Sequence, residues 1–254
     1  VRKVRHAKQT LDQMIQQHIQ AQPSATEHGG EDLLTMLRQA SDPDHPNQGL
    51  SAQELHDQTM VMFQAGHETT ATAMTWWNGL IARHPEVADR IHAEVDAVLQ
   101  GETPTPATLQ QLPWLQASLK EAMRLYPPAA VLMTRRTTQE VIVGPWTVPK
   151  GHLIAFTPYV IQRDARWFES PHAFKPERFL PGAPDVPRGA WLPFGTGPRV
   201  CIGHHFAMLE MGLIAAMLMQ RFRLVWPEDA TWPEVNLGVT LRPNHPIRLN
   251  FVRR

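Results

Sequence analysis

The sequence contains a single cysteine in 254 residues. That excludes an intrachain disulfide, a zinc site built from several thiolates and an iron–sulfur cluster held by this chain alone. A metal centre with one thiolate ligand remains open to it. Excess charge is missing as well: 24 lysines and arginines balance 24 aspartates and glutamates, so neither nucleic acid nor an acidic surface is expected as a partner. No apolar run is long enough to cross a bilayer, and residues 1–20 are too polar for a signal peptide. The visible chain therefore reads as cytoplasmic, although it opens on Val1 within a helical pattern, and a membrane anchor upstream of residue 1 would lie outside it. Internal repeats and low-complexity tracts are absent. What is present is enough chain to bury a large core, as one big domain or two small ones.

The cysteine, Cys201, stands in the stretch Phe194-Gly195-Thr196-Gly197-Pro198-Arg199-Val200-Cys201-Ile202-Gly203, which runs into an apolar helical pattern over 202–220. A thiol placed where a helix begins meets free backbone N–H groups and the positive end of the helix dipole, and both favour the thiolate that ligates metal. Gly197 and Gly203 suit a backbone that takes positive φ or lies flat against a cofactor. Arg199 is placed to meet an anionic group on that cofactor. The alternative for a lone cysteine is a buried structural thiol beside a helix cap.

Before this loop the pattern is largely helical. Leu11, Met14, Ile15, His18 and Ile19 share a face over 1–21, ended by Pro23 and Ser24, and a short helix over 31–40 breaks into a loop or hinge at 42–47. Ser51 and Glu54 form a capping box opening one helix of about thirty residues, roughly 45–50 Å long. Within it, Ala65-Gly66-His67-Glu68-Thr69-Thr70 sets an acid and an alcohol beside small residues. His67-Glu68 begins like a His-Glu-x-x-His zinc motif, but Ala71 stands where the second histidine is needed. A solvated acid and a threonine bonded to its own helix remain the plainer alternative for Glu68 and Thr69. Pro85 opens a helix with Val87, Ile91, Val95, Val98 and Leu99 on one side, and Pro113 opens another, ending at Tyr126, in which Glu121 and Arg124 share a face. Strand-like pieces follow at 131–133, 141–143, 146–148 and 152–157, the middle two joined as a hairpin by Gly144-Pro145. Residues 164–193 read as an ordered, aperiodic meander. In the apolar helix, His204 and His205 read as surface or backing residues because no further zinc ligands stand at a suitable spacing. The segments 237–243 and 247–251 read as a terminal hairpin.

Three of these motifs carry a resemblance. Phe194, Gly197, Arg199, Cys201 and Gly203 are spaced as in the haem-binding signature of the cytochrome P-450 family. The stretch 65–70 resembles that family's oxygen-activation motif, and Glu121 with Arg124 resembles its Glu-x-x-Arg, answered by Arg178 in Pro176-Glu177-Arg178-Phe179. The resemblance, closest to the soluble bacterial type, implies a mainly α fold with small β-sheets. It covers only the second half of a catalytic domain, so residues 1–254 would be its C-terminal, haem-binding portion with the N-terminal half absent. It further implies haem b held by Cys201 and contacted by Phe194, Gly195, Arg199, Gly203, Ala65 and an arginine at 135 or 136. Glu121, Arg124 and Arg178 would form a buried structural triad fixing the cysteine loop. Thr69 would hydrogen-bond dioxygen and Glu68 would help bring protons. Ala65, Ala129, Ala130, Val131, Leu132 and Val239 would line a pocket for a hydrophobic small molecule. Electrons, ultimately from NAD(P)H, would arrive through a ferredoxin or flavoprotein reductase. A non-catalytic haem-thiolate sensor or carrier, a peroxide-driven relative and a fragment without independent activity are the competing expectations.

Overall fold

The computed structural model describes residues 2–21, 32–42, 45–132 and 134–254, so Pro23, Ser24, Glu31, Pro43, Asp44 and Met133 lie outside the described residues. Two compact units are formed, Val1–His67 and Glu68–Arg254.

In the first unit, α1 (Arg2–Ala21) turns Leu11, Ile15 and Ile19 inward. Met14 and His18, expected on the same face, point to solvent, because the inward stripe follows the i, i+4 spacing alone. Helix α2 (Leu33–Gln39) begins at Asp32, whose carboxylate accepts from Thr35 N at 3.0 Å and Thr35 Oγ1 at 2.9 Å. Where a loop is expected at 42–47, the described residues on either side of Pro43 and Asp44 form two paired antiparallel strands, β1 (Ser41–Asp42) and β2 (His45–Gly49). Ser51 caps α3 (Ala52–Arg83): Glu54 N donates to Ser51 Oγ at 3.2 Å, and Ser51 N donates to Glu54 Oε2 at 2.8 Å. Both ends of the capping box are closed.

The second unit starts within α3, at Glu68, and the helix changes character there. From Thr70 onward most of it is buried, with Trp76, Trp77 and Ile81 fully enclosed. Around it pack α4 (Pro85–Leu99), the four-residue α5 (Pro106–Leu109), α6 (Pro113–Leu125) and α8 (His204–Arg221), sharing a core that includes Ile91, Leu115, Leu119, Met211 and Met219. Gly212 on α8 lets α5 approach, since a Cβ there would meet Leu109 Cδ1 at 3.0 Å. One side of α8 is buried, with Met211, Ala215 and Met219, while Phe206 is 68% exposed.

No side chain of its own caps the N-terminus of α6. Glu94 of α4 does so from outside, accepting from Trp114 N at 2.8 Å and Leu115 N at 3.0 Å. Burial raises the Glu94 pKa, and these two N–H groups partly offset that by favouring the carboxylate. Glu94→Ala leaves both N–H groups without a partner, at about 1–3 kcal/mol. A melting temperature lowered by several degrees is the expected result, and a wild-type value would show that water replaces the carboxylate at no loss.

The sheets are two-stranded. Strand β3 (Arg135–Arg136) pairs with β6 (Leu153–Ile154), and β4 (Val141–Val143) pairs with β5 (Trp146–Val148) around Gly144 at φ 57°. The first expected strand is not one at residues 131 and 132, although Leu132 N donates to Phe156 O at 2.8 Å. After α7 (Pro158–Ile161) and the meander, β7 (Phe222–Val225) leaves α8. β8 (Val235–Leu237) pairs with β9 (Leu241–Pro243), but β10 (Asn250–Arg253) pairs with β7, not with the 237–243 segment. That expectation missed β7 because Phe222-Arg223-Leu224-Val225 continues the apolar run of α8 without a glycine or proline between.

Candidate active site

The cysteine loop is shaped by its glycines and closed by its backbone. Gly195 and Gly197 both take φ 71°, a conformation other residues rarely adopt. A 3-10 turn over Gly197–Arg199 follows, and Cys201 N donates back to Phe194 O at 2.9 Å. Gly203 does not need positive φ, as its value is −87°; it is the N-cap of α8, and Cys201 stands two residues before it. A Cβ on Gly203 would lie 3.9 Å from Cys201 Sγ, in ordinary van der Waals contact with it. The sulfur is exposed, as are Arg199, Ile202 (86%) and Phe206. Phe194 is half-buried, its ring edge-on to Trp191 at 6.4 Å. His204 Nδ1 lies 2.8 Å from the Cys201 carbonyl, and no cluster of three metal-ligating side chains occurs among the described residues.

Behind the loop lies a buried ion network. Glu121 accepts from Arg124 Nε at 2.7 Å and Nη2 at 2.8 Å, from Lys175 N at 2.9 Å and from Arg178 Nε at 3.3 Å. The remaining Arg124 N–H groups reach the carbonyls of Gln162 (2.7 Å), Pro171 (2.7 Å) and Ala173 (3.0 Å). Both Glu121 and Arg124 are fully buried, which is tolerable only because every guanidinium N–H has an acceptor. The sequence pairs these residues but leaves open whether they are buried; the three carbonyls answer that.

The acid–alcohol pair is also brought to a specific neighbourhood. Glu68 Oε1 accepts from Thr240 Oγ1 at 2.6 Å and Arg242 Nε at 3.1 Å, and Arg242 Nη2 also pairs with it. Thr69 follows, half-buried. Two turns on, Trp76 Nε1 donates to Leu241 O at 2.7 Å, while Leu241 N donates to Pro128 O at 2.9 Å. The segment 129–132 continues from there, and the Leu132 side chain lies 3.9 Å from where a Gly195 Cβ would be. One connected set of contacts thus joins Glu68, the β8–β9 turn holding the 95% exposed Val239, the 129–132 segment and the cysteine loop. Ala129 is half-buried, Ala130 buried and Val131 exposed. Ala65, exposed on α3, belongs to the other unit. Arg136 Nη1 bonds Gly151 O at 3.0 Å; Arg135, adjacent on a strand, projects to the opposite face.

A family model described as Cytochrome P450, here written P-450, matches residues 1–251. The chain belongs to the cytochrome P-450 family. Among its relatives, cyclooctatin synthase of Streptomyces melanosporofaciens is 40% identical over 92% of this chain and 51% of its own length. Cyclooctat-9-en-7-ol 5-monooxygenase of the same organism is 38% identical over 85% of this chain and 46% of its own. The chain spans about half the length of these curated relatives. Among solved structures, retinoic acid bound cyanobacterial CYP120A1 superposes with a TM-score of 0.85 at 31% identity, over 96% of this chain and 55% of that one. The mainly helical architecture with small sheets is therefore the P-450 fold.

The residues present fit the haem of that family. Cys201, Ile202 and Phe206 are all exposed, so a thiol and apolar side chains would be available to a flat ring, and the exposed Arg199 with Arg135 or Arg136 would offer cations to its acidic edge. Thr240, Arg242 and the buried Gln162 were invisible to sequence reasoning. Each is an ordinary polar residue whose partner lies far away in sequence.

Proposed function

We propose that this chain is the haem-binding portion of a monooxygenase that oxidises a hydrophobic small molecule with dioxygen, drawing electrons from a separate ferredoxin or flavoprotein. The observation that carries the reading is the exposure of the only cysteine, with exposed Arg199, Ile202 and Phe206 in the same stretch of a chain of this family. Haem b on a thiolate supplies the oxidising chemistry, because electron donation from sulfur favours O–O cleavage. Cys201 would hold the iron. Arg199 and an arginine at 135 or 136, both exposed, would hold the propionates. The exposed Val131 and Val239 would give the substrate an apolar wall, in keeping with the cyclooctat-9-en-7-ol and the retinoic acid that the names of two similar proteins carry.

Glu68 and Thr69 would handle protons. Glu68 must loosen its pair with Arg242 to do so, and with side chains 34% and 59% exposed that pair contributes no more than about 1 kcal/mol. Release is therefore easy. From there Thr69 would pass the proton towards dioxygen.

The test is Thr69→Ala in the haem-loaded protein with a redox partner and an accepted apolar substrate. Haem content and substrate binding stay unchanged, reductant is still consumed, product per reductant falls several-fold, and hydrogen peroxide rises to match. Unchanged coupling would remove Thr69 from the proton path.

A further inference from the structure

The geometry points to Gln162 as the positioning residue that transmits the buried ion network to the cysteine loop, an inference that rests on Cys201 being the haem ligand. Gln162 is fully buried just after α7, in ordinary αR backbone with its N–H on Pro158 O at 2.8 Å. Its side-chain amide works in two directions at once. Nε2 donates to Met123 O and Arg124 O, each at 3.0 Å, and these are last-turn carbonyls of α6 that the helix itself cannot satisfy. Oε1 accepts from Leu192 N at 2.6 Å. Leu192 is where the cysteine loop departs: its carbonyl accepts from Gly195 N at 3.1 Å, and Phe194 O then accepts from Cys201 N.

Gln162 is clamped in return. Its main-chain carbonyl takes Arg124 Nη1, so the guanidinium held by Glu121 fixes the backbone of the residue whose side chain fixes Leu192. Among the described residues, none of the other hydrogen bonds made by Glu121, Arg124 or Arg178 leads to the loop. The site also demands this residue type. Two donors and an acceptor are required at one end of a long side chain; an ionised glutamate would present only acceptors to two carbonyls, and leucine would leave a buried N–H and two buried carbonyls unpaired. Groups one step behind a metal ligand orient it, and their loss typically weakens the site while leaving the ligand itself in place.

The experiment uses the haem-loaded protein and three variants: Gln162→Leu, Gln162→His and, as a control of comparable destabilisation, Glu94→Ala. One readout is the fraction of the ferrous carbon monoxide complex in the red-shifted thiolate form. The other is amide hydrogen exchange of the holoprotein resolved by peptide. Gln162→Leu lowers the thiolate fraction several-fold and raises exchange over 192–201 by about tenfold or more. Glu94→Ala keeps the thiolate fraction and raises exchange at 114–115 instead. Gln162→His keeps one donor and one acceptor and falls between Gln162→Leu and the wild type in both readouts. Should Gln162→Leu fail to fold, Gln162→His decides. Wild-type thiolate fraction and exchange over 192–201 in the Gln162 variants overturn the inference, as does a Glu94→Ala protein that shifts both equally. Cys201→Ser separates this from a failure of the ligand assignment: if that variant keeps the red-shifted band, Cys201 is not the ligand, whereas the exchange measurement still reports whether Gln162 holds the loop.

Discussion

Cys201→Ser abolishes the red-shifted carbon monoxide complex that thiolate-ligated ferrous haem gives. The loss is expected to be complete, since this sequence offers no second thiol and a serine hydroxyl does not ionise at neutral pH. The fold around the position should survive, because the loop is closed by backbone groups: Cys201 N on Phe194 O, and the Cys201 carbonyl facing the His204 ring at 2.8 Å. The measurement is therefore clean, with circular dichroism and melting of the protein little changed while the spectrum is transformed. A mutant that retains the thiolate-type band would refute Cys201 as ligand.

Glu121→Ala should be the most damaging substitution for the fold. It removes the carboxylate that neutralises a fully buried guanidinium and also frees Lys175 N and Arg178 Nε. Stranding one member of a buried ion pair costs about 3–5 kcal/mol. A domain's whole stability is about 5–15 kcal/mol, so aggregated or haem-free protein is expected, or a melting temperature lower by about 10 °C or more. Exchanging Glu121 and Arg124 together for apolar residues should not rescue it, because the Gln162, Pro171 and Ala173 carbonyls would lose their donor. Normal expression, haem content and melting of Glu121→Ala would show that the network contributes little.

What could be seen in the sequence was what local pattern encodes. The span of α3 follows from a capping box and the absence of proline before Pro85, and the cysteine loop from its glycines, of which Gly197 takes the positive φ while Gly203 does not. Glu121 and Arg124 could be paired by their spacing on one helix. What stayed hidden depends on distant partners. Nothing near Glu68 announces Thr240 or Arg242, nothing near Pro113 announces that Glu94 of another helix caps it, and Gln162 sits in a stretch with no periodicity to mark it as buried. The pairing of β10 with β7 was misread for the same reason. Alternation marks a strand but does not name its neighbour.

Leu241 ties Pro128 and Trp76 together, and the adjacent Thr240 holds Glu68. The contacts to α3 span 165 and 172 residues of chain. Closing loops of that length is opposed by chain entropy until most of the intervening structure exists, so such contacts form late. The packing of α4 on α6 around Ile91 and Leu115 joins much closer parts of the chain and can assemble first. In order of folding, then, the surroundings of Glu68 are finished near the end, and a chain halted short of that point would hold most of its helices while its acid still waited for Thr240 and Arg242.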